Sequence, residues 1–168
     1  MTSKITVRPA RTSDVKAIQA MRQQLEGSKV LLGHELVTLY EAVPEFLVAV
    51  DETGAVVGAG ALHVMWEDLA EVRSMVVSEA LRGTGVGHAV LEALLAKAQS
   101  VGIRRVFCLT FETQFFGKHG FKEISDVPVD ESTFEQMVRS HDDGVAEFLD
   151  LARVKQNTLG NTRMLKTL

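Results

Sequence analysis

Three alternating glycines between two regular segments constrain this chain more than any other feature. The stretch RGTGVGH at 82–88 follows a β-strand pattern over about 70–77 and opens a helical pattern over about 85–100. Glycine lets a backbone turn tightly and approach a ligand without an intervening Cβ, and a helix N-terminus presents unpaired N–H groups. Such a loop is suited to holding the phosphate oxygens of a ligand.

Two common phosphate-binding motifs do not fit this loop. A P-loop requires Lys and then Ser or Thr after its last glycine, whereas His88 and Ala89 follow Gly87. The dinucleotide motif G-x-G-x-x-G requires a further glycine at His88 or at Val90, depending on the register. A glycine-rich connection kept for packing is the remaining alternative. Arg82 and the flanking strand and helix favour ligand binding over it.

The composition excludes several classes of protein. The 168 residues carry 18 Lys and Arg against 22 Asp and Glu, for a net charge of -4, and the scattered bases argue against a nucleic-acid partner. No segment approaches the roughly 20 apolar residues of a membrane span, and the N-terminus lacks the layout of a signal peptide. The single cysteine, Cys108, lies in an apolar run and indicates a core residue in a reducing compartment. We therefore expect one cytoplasmic domain over 1–168.

Strand and helix patterns alternate along the rest of the chain. Strands are predicted at about 5–7, 46–50, 56–65, 70–77, 104–110, 121–124 and 162–168, and helices at about 15–25, 35–43, 85–100, 115–119 and 131–140. Gly58 and Gly60 in the third strand indicate the close approach of another backbone. The segment 141–161 has no clear pattern.

Two motifs resemble the GNAT superfamily of N-acetyltransferases. Its acetyl-CoA loop reads Arg or Gln, two residues, Gly, one residue, then Gly or Ala, and Arg82, Gly85 and Gly87 match it between a strand and a helix. The segment FGKHGF at 116–121 is similar to the superfamily's short helix followed by Gly-Phe. The resemblance implies an α/β (α+β) fold in a single domain. Its mixed, mostly antiparallel twisted sheet would be flanked by helices on both faces.

Three further segments resemble the short, stand-alone type of N-acetylglutamate synthase found in actinobacteria. They are LVTLYE at 36–41, FCLTFET at 107–113 and GNTRML at 160–165. The resemblance implies acetyl transfer from acetyl-CoA to the α-amino group of L-glutamate, or in some members L-glutamine, as the first step of arginine biosynthesis. The resemblance also implies a homodimer. The long synthases carry an additional kinase-like domain, which the short type lacks. An acetyltransferase for another small amine or a protein N-terminus, and a non-catalytic acyl-CoA-binding module, are the alternatives.

On the donor side, the resemblance implies backbone contacts to the cofactor. Main-chain groups of Met75, Val76 and Val77 would pair with the pantetheine arm and polarise the acetyl carbonyl. The residues that would hold the pyrophosphate are Arg82, Gly83, Thr84, Gly85, Val86, Gly87 and His88.

The catalytic candidates are a base and a donor to the departing thiolate. Glu71 matches the position where many superfamily members carry a base-like glutamate, and a solvated strand-end carboxylate is the alternative reading. Many members carry a tyrosine acid where this chain has Phe116, and the sole tyrosine, Tyr40, lies elsewhere. Thr110 or solvent would therefore assist the thiolate.

Glutamate carries two carboxylates, which call for paired cationic groups, ideally Arg. The candidates are Arg73, expected on the same strand face as Glu71, together with Arg163 and Lys29. A solvated surface side chain is the alternative for Arg73 and Lys29. The five histidines show no metal-ligand spacing, so we expect no metal.

Overall fold

Seven strands form one sheet in the computed structural model, which describes residues 4–26, 36–154 and 160–168. They are β1 (Thr6–Pro9), β2 (Phe46–Val50), β3 (Val56–Trp66), β4 (Leu69–Val77), β5 (Arg105–Thr110), β6 (Lys122–Glu123) and β7 (Thr162–Thr167). The order across the sheet is β1-β2-β3-β4-β5-β7-β6. β4 and β5 run parallel, whereas β1 with β2, β2 with β3, β5 with β7, and β6 with β7 run antiparallel.

Helices flank this sheet. They are α1 (Val15–Glu26), α2 (Leu36–Glu41), α3 (Val86–Ser100), α4 (Thr113–Lys118), α5 (Glu131–Met137) and α6 (Asp143–Phe148). The predicted mixed, mostly antiparallel sheet flanked by helices is thereby confirmed. The segment without a clear sequence pattern contains α6, which Asp142 caps by accepting a hydrogen bond from the backbone N–H of Val145 at 3.0 Å.

The chain divides into two compact units. The first unit consists of Met1–Leu62 and Val72–Lys97, and the second of His63–Glu71 and Ala98–Leu168. β3 and β4 each contribute residues to both units. The single domain expected over 1–168 stays a prediction.

The core of the first unit forms on one stripe of α1. Val15, Ile18 and Met21 recur at helical spacing and are buried, as the sequence pattern predicts. The other buried members of this core are Leu39, Phe46, Val48, Ala59, Ala61 and Val76.

The core of the second unit forms around two aromatic rings. Phe107 and Phe148 meet edge to face, with ring centroids 5.3 Å apart. The other buried members are Leu69, Met137, Val145 and Leu149. Cys108 is 1% exposed beside Phe107, and burial, followed by the negative charge of Glu71, raises the pKa of its thiol. The expectation of an inert core cysteine is confirmed.

Candidate functional site

The glycine loop connects β4 to α3 through two backbone positions that favour glycine. Gly83 has a φ of +77° and Gly85 a φ of +95°, a region that L-residues with a Cβ rarely adopt. A Cβ at either position would meet no other atom within 4 Å. The glycines are therefore required by backbone conformation, and the space beside them is open. Arg82, at the start of this exposed loop, is itself exposed.

The N-terminus of α3 directly follows this loop. The carbonyl of Gly85 accepts the first helical hydrogen bond, from the N–H of Ala89 at 3.1 Å. The N–H groups of Val86, Gly87 and His88 precede that bond, at the positive end of the dipole of a 15-residue helix. N–H donors at a helix N-terminus, a cation and open space next to the loop fit an anion with the charge of a pyrophosphate.

Ser74 introduces a local backbone distortion in β4 ahead of the residues predicted to bind pantetheine. Its φ is +58°, in the left-handed region that non-glycine residues seldom occupy and that often marks functional sites. Met75 and Val77 are half-buried and Val76 is buried. A serine within a strand pattern carries no signal for a positive φ, so the sequence does not predict this conformation of Ser74.

Glu71 is a buried carboxylate. Glu71 is 5% exposed, so the alternative reading of Glu71 as a solvated carboxylate at a strand end does not hold. It pairs with Phe107 at the end of the parallel register between β4 and β5, which runs from Leu69↔Arg105. Its negative charge also contributes to the raised pKa of the Cys108 thiol. A buried carboxylate can serve as a general base if a substrate amine reaches it.

Thr110 ends β5 and is 8% exposed. Its Oγ1 accepts a hydrogen bond from the backbone N–H of Glu112 at 2.8 Å. That bond uses an oxygen lone pair, so the hydroxyl hydrogen is still available for donation. Thr110 can therefore donate a hydrogen bond to a thiolate.

Phe116 occupies an apolar site in α4. It is 5% exposed and meets Phe115 and Phe121 edge to face, with centroids 5.1 Å and 5.2 Å apart. The position where many superfamily members carry a tyrosine acid is thus part of an aromatic cluster in this chain. Phe116 has no ionisable group to offer a thiolate.

Arg163 donates to main-chain carbonyls at three places. Its Nε donates to the carbonyl of Glu147 at 3.1 Å, and its Nη2 donates to those of Asp126, at 3.0 Å, and of Phe148. Burial lowers the pKa of this guanidinium, while Asp150 and Asp126 oppose the shift. These bonds give Arg163 a clear structural role, and its predicted contact with substrate stays a prediction.

Of the two other cationic candidates, Arg73 lies within the described residues. Arg73 lies in β4, half-buried, with its Nε fully buried. Lys29 lies outside the described residues.

Comparison with known proteins identifies the family. Residues 17–121, more than half of the chain, match the acetyltransferase (GNAT) family. The chain belongs to this family. It is a GNAT acetyltransferase, and acetyl-CoA is its donor substrate.

One curated relative and one solved structure are similar to this GNAT acetyltransferase over nearly its whole length. The amino-acid acetyltransferase of Mycobacterium tuberculosis (strain ATCC 25618 / H37Rv) is 56% identical over 164 residues, which cover 96% of this chain and 94% of that protein. The crystal structure of Rv2747 from Mycobacterium tuberculosis, in complex with CoA and NLQ, has a TM-score of 0.90 at 55% identity. That comparison covers 97% of this chain and 99% of the other.

A longer relative shares the fold. N-acetylglutamate synthase from Neisseria gonorrhoeae, complexed with coenzyme A and N-acetyl-glutamate, has a TM-score of 0.76 at 22% identity. The comparison covers 100% of this chain and 36% of that chain, so the GNAT acetyltransferase corresponds to about a third of the longer protein.

Two further features bear on metals and membranes. Over the described parts of the chain, no group of three or more His, Cys, Asp or Glu side chains could hold a metal ion. Among the same residues, no helix combines the length and apolarity that crossing a membrane requires.

Proposed function

We propose that this GNAT acetyltransferase is an amino-acid N-acetyltransferase that acetylates the α-amino group of L-glutamate, with L-glutamine as the alternative acceptor. The observation that carries the proposal is the 56% identity to an amino-acid acetyltransferase over 96% of the chain. The fold shared with an N-acetylglutamate synthase bound to N-acetyl-glutamate adds support for the acceptor. The reaction would be the first step of arginine biosynthesis.

On the donor side, the proposal assigns the pyrophosphate of acetyl-CoA to the glycine loop. The positive φ of Gly83 and Gly85 and the N–H groups that open α3 support this assignment, with Arg82 as a flanking charge partner. Backbone groups of Met75–Val77 would pair with the pantetheine arm and polarise the acetyl carbonyl. Backbone donors suit this role because they can stabilise a developing oxyanion while their side chains remain packed.

Acetyl transfer begins with a neutral amine. The nitrogen lone pair attacks the thioester carbonyl carbon, a C–N bond forms, and collapse of the tetrahedral intermediate breaks the C–S bond. Glu71 would accept the proton that the ammonium group must lose, directly or through water. Its burial supports this role, because few water molecules then compete for the carboxylate.

The departing CoA thiolate takes up a proton as the C–S bond breaks, in balance with the proton that the attacking nitrogen loses as it becomes an amide. In the proposal, the hydroxyl of Thr110 or solvent stabilises it, because Phe116 offers no proton. The amide product and CoA then leave.

The acceptor carboxylates require cations. Arg73 and Lys29 are the proposed partners, and Arg163 is a third candidate through the guanidinium nitrogen that the three carbonyl bonds do not occupy. We extend the proposal to a homodimer in the cytoplasm, with no nucleic-acid or membrane partner.

An acceptor panel tests the proposal. Release of free thiol from acetyl-CoA is measured with L-glutamate, L-glutamine, the other amino acids, a polyamine, an N-terminal peptide and no acceptor. Turnover with glutamate or glutamine above all others is expected. Turnover only with the polyamine or peptide, or CoA binding without turnover on any acceptor, would contradict it.

A further inference from the structure

Gly58 in β3 lies directly beneath the start of α3. A Cβ at Gly58 would lie 2.7 Å from Cγ1 of Val86, the first residue of α3, and 3.5 Å from the carbonyl oxygen of Val76 in β4. Real Cβ atoms essentially never approach another heavy atom as closely as 2.7 Å. The sequence predicts that another backbone approaches this glycine. The nearest atom is instead a side-chain methyl, with the Val76 backbone next to it.

Val86 has little freedom to move away from such a Cβ. It is 3% exposed, and a β-branched side chain in a helix is largely confined to one χ1 rotamer. A methyl group at Gly58 would therefore displace the backbone of the first turn of α3 rather than a side-chain tip. That turn carries the N–H groups assigned to the pyrophosphate.

Gly60, two residues along β3, provides a contrast under the same helix. Its added Cβ would lie 2.6 Å from Sδ of Met75 and 2.8 Å from Cδ1 of Leu94, both at the far ends of longer side chains. Its next neighbour is Cγ1 of Val90 at 3.1 Å. Strain from a methyl at Gly60 would thus fall on adjustable side chains and on the middle of α3, away from its N-terminus.

We infer that Gly58 is a positioning residue for acetyl-CoA. Because glycine has no side chain, the first turn of α3 can pack closely against the sheet beside Val76. In that position, the helix N-terminus receives the pyrophosphate while the neighbouring residues of β4 receive the pantetheine arm. Gly58 touches neither group and acts through Val86. The inference rests on the donor side of the proposed function and is independent of the acceptor.

CoA and pantetheine, which lacks both the pyrophosphate and the 3′-phosphoadenosine of CoA, test this role in Gly58→Ala. Calorimetry with CoA is expected to show a Kd raised by about tenfold, the size of one weakened charge-assisted hydrogen bond. An NMR titration with pantetheine, which has no pyrophosphate, is expected to show a Kd within about twofold of the parent protein. Unchanged CoA affinity, or equal losses for the two ligands, would overturn the inference.

A compensating variant separates positioning from general loss of stability. Gly58→Ala combined with Val86→Ala removes the methyl that the new Cβ would strike, so the double variant is expected to bind CoA with a Kd within about threefold of that of Val86→Ala alone. The double variant also decides the matter if Gly58→Ala alone does not fold. A folded double variant whose Kd for CoA is about tenfold or more above that of Val86→Ala would overturn the inference.

Gly60→Ala is the matched control. It is expected to lower the Tm while leaving the ratio of CoA affinity to pantetheine affinity within about twofold of the parent value. If it changes this ratio as much as Gly58→Ala does, the effect is a general loosening of α3 and the inference fails. These binding measurements need no acceptor. A parent protein that binds CoA but acetylates neither glutamate nor glutamine would refute the proposed function and leave this inference standing.

Discussion

Glu71 pairs with Phe107 as the last of three residue pairs in the parallel register of β4 and β5. A carboxylate that is 5% exposed therefore lies at the end of that register, next to a ring in the core of the second unit. Buried carboxylates are rare without a structural partner or a catalytic task. Replacing the Glu71 carboxylate by an amide separates these two explanations.

Glu71→Gln is expected to lower kcat by about 100-fold, the lower end of the contribution of a general base, while KM for acetyl-CoA stays unchanged. The pH dependence of kcat that arises from the base should disappear. Steady-state kinetics across pH check both points. Glu67→Gln, at an exposed position in the turn before β4, is the control and should retain the full rate. A Glu71→Gln enzyme with the parent rate and pH profile would show that Glu71 is not the base.

Gly85→Ala is expected to cost about 1 kcal/mol of unfolding free energy, because an alanine must adopt the φ of +95°. It should also raise the Kd for CoA by about tenfold, since the new Cβ enters the open space beside the loop where the pyrophosphate is proposed to bind. Urea unfolding and calorimetry measure the two effects.

Gly54→Ala offers a close control for that loop. Gly54 lies at the β2–β3 turn with a φ of +83°, and a Cβ there would also meet no atom within 4 Å. Gly54→Ala should lose a free energy of unfolding similar to that lost by Gly85→Ala and keep the CoA affinity of the parent protein. Equal CoA affinity of Gly85→Ala and Gly54→Ala would show that the glycine loop is not part of the CoA-binding site.

Arg163→Met is expected to lower the free energy of unfolding by roughly 2 kcal/mol, because three backbone carbonyls lose a charged donor. Arg139→Met, at an exposed position, should change stability by less than about 0.5 kcal/mol. Urea unfolding of both variants checks the difference. Unchanged stability of Arg163→Met, together with a raised KM for glutamate, would assign Arg163 to the substrate instead.

Asp14 makes stability depend on pH in the acidic range. Its carboxylate accepts from Arg8 Nη1 at 2.8 Å and Nη2 at 3.1 Å, and from the backbone N–H of Arg11 at 2.7 Å. The hydrogen bonds from Arg8 are the main cause that lowers the pKa of Asp14 in the folded protein. A carboxyl with a depressed pKa stabilises the fold above its unfolded value, about 3.9, and that stability is lost as pH falls through the folded pKa.

Asp14→Asn should therefore be less stable than the parent at pH 7 by about 1.5–3 kcal/mol, the worth of hydrogen bonds to a charged group. Below pH 4 the difference should shrink. Urea midpoints from pH 7 to pH 2 measure it. A constant difference between the two proteins across this range would show that the Asp14 charge does not stabilise the fold.

Local sequence patterns predicted much of the fold. The strand Phe46–Val50 has the predicted bounds, since Pro44 precedes it and turn residues follow it. The helix Val86–Ser100 begins at the glycine loop and ends before Gly102, whose φ is +92°. By contrast, α6 was missed, because six residues that include Gly144 give too short an apolar period to distinguish from a loop.

The site was less predictable than the fold. The positive φ of Ser74 and the end of the β4–β5 register at Glu71 depend on tertiary pairing, which no local pattern records. The carbonyl partners of Arg163 come from residues 15 to 37 positions away in the chain, so a lone arginine in a strand pattern could not reveal them. The loop glycines were the exception, because glycine is the usual residue where the backbone needs a positive φ and is visible in the sequence.

The identity of the product tests the central claim most directly. The protein is incubated with acetyl-CoA carrying a ¹³C-labelled acetyl group and an equimolar mixture of L-glutamate, L-glutamine and other amino acids, and the products are followed by NMR. The account predicts that the label appears first as an amide on the α-nitrogen of glutamate, with glutamine as the second acceptor. Label that stays on CoA, or that passes to amines other than these two, would contradict it.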